Sequence, residues 1–172
     1  MDIIDPAQAL ALARRLHGDQ VDLVGEDYVD GHLTRVQKAV ELYHDPDMSV
    51  AAALHDSLED TVATPAFLLV HGVSQPALTA IQIVTKQPGE MGRQGYELFV
   101  SRIATSGNLR AIRLKVEDVR DHLRPRSAPA NRNPVRITSS LYQRYQSALL
   151  VLEQAARQLE VSGGSADDPS RS

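Results

Sequence analysis

Helix-start signals punctuate this chain from one end to the other. Asp5-Pro6 pairs a side-chain acceptor with a proline whose fixed φ suits the first helical position. Thr64-Pro65 repeats that arrangement, and Gln75-Pro76 opens another segment. One helix is expected to end near Asp45-Pro46, with Asp47 free to cap the next. Apolar residues recur at helical spacing between these marks, as in Ala9, Leu10, Ala13 and Leu16, then Leu33, Val36 and Val40, then Val50, Ala51, Leu54 and Leu58. The pattern continues through Ile81 and Val84, from Tyr96 to Ile103, and from Leu109 through Ile112 and Val116 to Val119. A long last helix is expected from Val135 to about Leu159. Aromatic residues make up only 4% of the chain, so the core must be built from Ala, Leu, Val and Ile. That composition favours packed helices over strands, which β-branched and aromatic residues fill. The expectation is an all-α single domain of about eight helices over residues 1–160, followed by a Gly/Ser/Asp-rich, disordered tail over 161–172. Loops are expected over Asp19–Gly31, Gln87–Gly95 and the three-proline stretch Arg124–Pro134.

Several classes have little support. The chain has no cysteine, so any metal must be held by His and carboxylates. No apolar run approaches the roughly 20 residues a bilayer requires. Met1-Asp2-Ile3-Ile4-Asp5 lacks a basic start and a long apolar stretch, so a secretory signal is not expected and a cytoplasmic protein is. The net charge of −4, with Lys and Arg scattered, argues against a nucleic-acid binder.

The densest cluster of chemistry is His55-Asp56-Ser57-Leu58-Glu59-Asp60. On a continuous helix, at roughly 100° per residue, His55, Asp56, Glu59 and Asp60 fall within an arc of about 140°. The small apolar residues from Val50 to Leu54 place this helix in the core, where unpaired charges are costly and a divalent metal would satisfy them. The plain alternative is an amphipathic helix with its charges in water. His32 and Asp118 strengthen the metal reading, although His32 also suits a helix start and Asp118 can pair with Lys115 or Arg120. Two imidazoles and two carboxylates suit Mn²⁺, Fe²⁺, Zn²⁺ or Ni²⁺, with positions left for water and substrate.

These motifs resemble those of the HD-domain phosphohydrolases, and among them the small alarmone hydrolases and SpoT-like hydrolase domains. Ala51-Ala52-Ala53-Leu54-His55-Asp56-Ser57-Leu58-Glu59-Asp60-Thr61 is similar to the family's Ala-Ala-Leu-Leu-His-Asp-x-x-Glu-Asp-Thr signature. His17-Gly18-Asp19-Gln20 through Tyr28, His32-Leu33-Thr34-Arg35-Val36, Val84-Thr85-Lys86 with Glu90 and Tyr96, Lys115 to Leu123, and Arg144 to Leu149 resemble further family segments. The resemblance implies an HD-domain helical bundle with one ion, Mn²⁺ first among the candidates, held by His32, His55, Asp56 and Asp118. It implies that Glu59 and Asp60 orient or deprotonate the attacking water. On the substrate side it points to Arg35, Lys86, Lys115 and Arg120 as cations for phosphate, together with Tyr145. The implied substrate is a small nucleotide, (p)ppGpp-like, cleaved at a 3′-pyrophosphate. Nucleoside monophosphates or another small phosphoester are the alternative, and a non-catalytic nucleotide-binding module is a second. Nucleic-acid and membrane partners are not implied, and a homodimer is left open.

The chain departs from the family around the base. Val21-Asp22-Leu23-Val24 stands where a basic pair with a purine-stacking Arg is usual. Gly31 lies in the Tyr28–His32 spacing as one residue more than usual, and Asp27 and Leu33 replace prolines. His122 stands where an Asn is expected. A complete metal site beside an altered base-recognition side is therefore expected.

Overall fold

The computed structural model describes residues 2–22, 25–125 and 138–164. Among them the chain is all-α: α1 (Pro6–His17), α2 (Thr34–Val40), α3 (Pro46–Leu54), α4 (Ser57–Asp60), α5 (Pro65–Val70), α6 (Gln75–Val84), α7 (Gly92–Ala104), α8 (Leu109–Leu123) and α9 (Ser139–Gly164). No strand forms among the described residues beyond an isolated bridge between Val21 and Asp27. Because α3 and α4 are two parts of one interrupted helix, the expected count of about eight holds. Most of the Arg124–Pro134 connector and the tail beyond Gly164 lie outside the described residues. The last helix itself runs past its expected end near Leu159.

The caps explain where these helices begin. Asp5 accepts from Gln8 N while the Gln8 side chain accepts from Asp5 N, both at 2.8 Å, a reciprocal pair that satisfies two otherwise orphaned amides. Thr64 accepts from Phe67 N and Asn108 from Ala111 N. At α3 the cap is Asp45 rather than the expected Asp47, because Pro46 occupies the first helical position and the acceptor must precede it. Asp47 instead accepts from the Ser74 hydroxyl and so ties the start of α3 to the cap of α6.

The core forms around α3 and α8. Every residue of α3 from Met48 to Leu54 is buried, as befits a helix that is apolar on all sides. Its small residues Ser49, Ala51, Ala52 and Ala53 let α1, α2 and α6 pack against it, while α8 lies against α9, α2 and α6. Two irregularities interrupt this frame. The expected continuous helix through His55–Asp60 is interrupted: α3 stops at Leu54, Asp56 takes φ −94° and ψ −3°, and α4 is a single turn. Ahead of α2, residues Val29–Leu33 form a π-helical turn in which Leu33 N donates to Tyr28 O. A π turn accommodates one extra residue, and Gly31 sits within it. A Cβ on Gly31 would lie 2.7 Å from Glu26 Cδ, so glycine is what lets the Glu26 side chain pass.

Candidate metal centre

Three elements bring side chains to one point. The π-helical turn supplies His32, the interruption between α3 and α4 supplies His55 and Asp56, and α8 supplies Asp118. His55 Nε2 lies 3.0 Å from Asp56 Oδ2 and 3.6 Å from Asp118 Oδ1. His32 Nε2 lies 3.6 Å from Asp56 Oδ2 and 3.3 Å from Asp118 Oδ1. His32, His55 and Asp118 are fully buried, yet His32 Nε2, His55 Nε2 and Asp118 Oδ1 have no hydrogen-bond partner. Buried polar atoms without partners are costly, and here three of them face one another. A central ion with bonds of about 2.1 Å would space its ligand atoms at about 3.0–3.4 Å, close to the separations in this cluster. The residues present fit a divalent ion.

Each donor is braced by a second contact. Nδ1–H of His32 donates to Asp121 Oδ2 at 2.8 Å, and Nδ1–H of His55 donates to the Ala52 carbonyl at 2.9 Å. Neither acceptor carries a proton, so each interaction fixes the tautomer that leaves Nε2 as a lone-pair donor. The Tyr28 hydroxyl donates to Asp56 Oδ2, and Lys115 Nζ lies 2.6 Å from Asp118 Oδ2. Arg35 binds Asp121 through Nε at 2.6 Å and Glu26 through Nη1 at 2.8 Å, extending the brace to the loop before α2.

The electrostatics call for a cation. Burial works against charge on Asp118, but Lys115 and then His122 hold its carboxyl well below the usual range. Burial opposes ionisation of Asp56 too, and His55 and His32 outweigh it. On the imidazoles, burial favours the neutral form, yet Asp118, Asp121 and Asp56 raise His32, and Asp56 and Asp118 bring His55 up to about 9. The carboxylates thus pull positive charge onto the two rings, and a bound metal would supply that charge in place of protons.

Of the other expected residues, Glu59 and Asp60 are exposed on α4. Glu59 accepts from Lys86 N at 2.7 Å and pairs with Lys86 Nζ at 3.0 Å, while Gln20 reaches Asp60 at 3.4 Å. Lys115 is buried against Asp118, and Arg35 is committed to Asp121 and Glu26. Arg120 is not brought to the cluster: two residues on from Asp118 it points to a different side of α8, where its guanidinium meets Glu117 and Glu153, both at 2.7 Å. Tyr145 does reach the region, through His122, the residue that stands where the family has Asn. His122 stacks on His32 with centroids 5.0 Å apart and on Tyr145 also at 5.0 Å, and its Nε2 lies 3.2 Å from Asp118 Oδ1. The spacing of four residues from Asp118 was the available signal for His122. Beyond Tyr145, whose ring meets Tyr96 edge-on, a groove of about 420 Å³ runs between α7 and α9, lined by Arg93, Tyr96 and Arg144 among others.

No family model and no curated protein matches this chain. A solved structure does: a metazoan ortholog of SpoT, reported to hydrolyse ppGpp and to play a role in starvation responses, superposes with a TM-score of 0.66 at 20% sequence identity, covering 92% of this chain and 95% of that one. At that identity the likeness speaks for the fold: this chain shares the all-α architecture of that protein along nearly its whole length.

Proposed function

We propose that this chain is a metal-dependent phosphohydrolase of small phosphorylated nucleotides, with the 3′-pyrophosphate of (p)ppGpp as the first substrate to test. The observation that carries the reading is the convergence of buried, partnerless His32 Nε2, His55 Nε2 and Asp118 Oδ1 beside Asp56. In this reading His32, His55, Asp56 and Asp118 hold a divalent transition ion. When bound, such an ion supplies Lewis acidity and a water of lowered pKa. Glu59 and Asp60 take the water's proton or orient it. Lys86, paired with Glu59 at 3.0 Å, holds that carboxylate in place and carries a positive charge beside it for phosphate. Lys115 and Arg35 act on the ligands rather than on substrate, because each is spent on Asp118 or Asp121. Tyr145, with Tyr96 and Arg144 beyond it, offers an aromatic and cationic flank for the nucleoside. Arg120 has no part.

The acidic residues Asp22 and Asp27 favour a second reading of the substrate. An anionic loop suits a nucleoside monophosphate or another small phosphoester better than a heavily charged alarmone. The test is a screen of metal-loaded protein against a nucleotide panel including (p)ppGpp, with phosphate and pyrophosphate release measured separately. Pyrophosphate from (p)ppGpp supports the first reading, and phosphate from monophosphates the second. In parallel, Glu59→Gln is expected to keep bound metal and lose about 10²–10⁴-fold in kcat, the usual worth of a general base. No turnover of any phosphate by wild type with metal bound would overturn the proposal.

A further inference from the structure

We infer that His122 is a third imidazole ligand of the ion, so that the centre comprises three histidines and two aspartates; this rests on the metal-dependent reading above and deepens it. Asp118 and His122 stand one turn apart on α8, the i, i+4 spacing by which a single helix chelates a metal with two side chains. His122 Nε2 lies 3.2 Å from Asp118 Oδ1, inside the 3.3 Å of His32 and the 3.6 Å of His55. Three imidazole nitrogens therefore surround one carboxylate oxygen. Donor atoms of His32, Asp118 and His122 all lie within 4.8 Å of one another, as do those of His32, His55 and Asp56, and the two groups share His32.

The ring of His122 is also held in its orientation. Its planes lie 20° from His32 on one side and 8° from Tyr145 on the other, a stack that leaves the ring edge, not its face, toward Asp118. Its side chain is 33% exposed, against 1% and 2% for His32 and His55, so it stands on the solvent side of the cluster. A third imidazole alters the choice of ion. Imidazole suits Zn²⁺, Fe²⁺ and Ni²⁺, whereas Mn²⁺ prefers oxygen donors, so His122 turns the site away from Mn²⁺.

The experiment is X-ray absorption on the Zn²⁺-loaded protein, which counts imidazoles around the ion, combined with Zn²⁺ affinity from competition against a chelator. Wild type should show three imidazoles. His122→Phe preserves the stack but removes the nitrogen, and should show two with affinity lower by more than about 100-fold, beyond what loss of an outer-sphere partner costs. Tyr145→Phe keeps the ring against His122 and should retain three. A wild-type count of two overturns the inference whether or not the variants fold, and so does an unchanged count in His122→Phe; both leave the metal centre standing. Wild type that binds no Zn²⁺, Fe²⁺, Ni²⁺ or Mn²⁺ overturns the centre and the inference together.

Discussion

The donor cluster and the loop that precedes it are built by different means. In the cluster every donor comes from a packed helix or its end, and each has a second contact that fixes it: Asp121 for His32, the Ala52 carbonyl for His55, Tyr28 for Asp56 and Lys115 for Asp118. Among the described residues from Gln20 to Tyr28 the backbone makes short-range bonds of its own. Asp22 N donates to Glu26 O, Glu26 N to Asp22 Oδ1, Gly25 N to Asp22 O and Tyr28 N to Gln20 O. A metal site would tolerate little displacement of its ligands, and these side chains sit where the core dictates their positions. A self-contained loop can change its side chains without disturbing that core, and specificity can therefore drift while the chemistry stays. The two regions still touch, through Tyr28 on Asp56 and through the chain Glu26–Arg35–Asp121–His32.

The largest effect is expected inside the cluster. His55→Ala removes one Nε2 and leaves Asp56 and Asp118 facing each other without it. Wild type purified gently should carry near-stoichiometric transition metal by elemental analysis, and the variant almost none. Full metal content in the variant would mean that the cluster is a buried ion-pair network and nothing more, and the contrast with the loop would lose its basis.

How much of this contrast the sequence disclosed depends on how local each cause is. Caps at Asp5 and Thr64 were legible because an acceptor and a proline act within one turn. Motif resemblance groups His32, His55, Asp56 and Asp118, and the structure places these four side chains side by side. The interruption at His55–Asp56 was not legible, since nothing in Leu54-His55-Asp56-Ser57 breaks a helix by propensity; its geometry is held by distant partners such as Tyr28. The sequence offers Lys115 and Arg120 alike as partners of Asp118 and does not choose between them, because a list of cations does not say which carboxylates lie nearby; the structure pairs Lys115 with Asp118 and Arg120 with Glu117 and Glu153. Motif comparison tells what His122 replaces and not where it points, because its stacking partners lie on α9 and on the π-helical turn.

A smaller effect should follow from the brace that joins the two regions. Asp121→Asn keeps the shape of the side chain but removes the charge that holds Arg35 and orients His32. The expected result is a metal affinity about 10–100-fold weaker, the range for outer-sphere partners, with the ion still bound at saturation. Stability should fall as well, with a definite pH dependence. Burial opposes ionisation of Asp121, but His32 and Arg35 hold its carboxyl below the ordinary value. A depressed folded pKa contributes stability above the unfolded value of about 3.9, and that contribution is lost as pH falls toward the folded value. The gap in denaturation midpoint between metal-free wild type and Asp121→Asn should therefore be full near neutrality and close in acid. A gap that is independent of pH would show that shape, not charge, is what Asp121 supplies.

The smallest effect belongs to Asp22, where two roles must be separated. Its Oδ1 accepts from Glu26 N at 2.9 Å, so the side chain braces the loop besides carrying a charge. An arginine here would change both, costing about 1 kcal/mol for the lost hydrogen bond, and any kinetic change would be ambiguous. Asp22→Asn retains the side-chain oxygen that accepts from Glu26 N and removes the charge. Coulombic repulsion of a substrate phosphate is screened over about 8 Å at physiological salt, and Asp22 is half-buried rather than enclosed. The expected outcome is a fall of less than about tenfold in KM for (p)ppGpp, equivalent to under about 1.4 kcal/mol, with kcat and the thermal midpoint unchanged. The fall should shrink as salt is raised. If KM does not move at low salt, the acidic loop does not face the phosphates, and the substrate is gripped from the α7–α9 side by Tyr145, Tyr96 and Arg144. If the midpoint drops instead, Asp22 is a structural brace, and its acidity says nothing about the substrate.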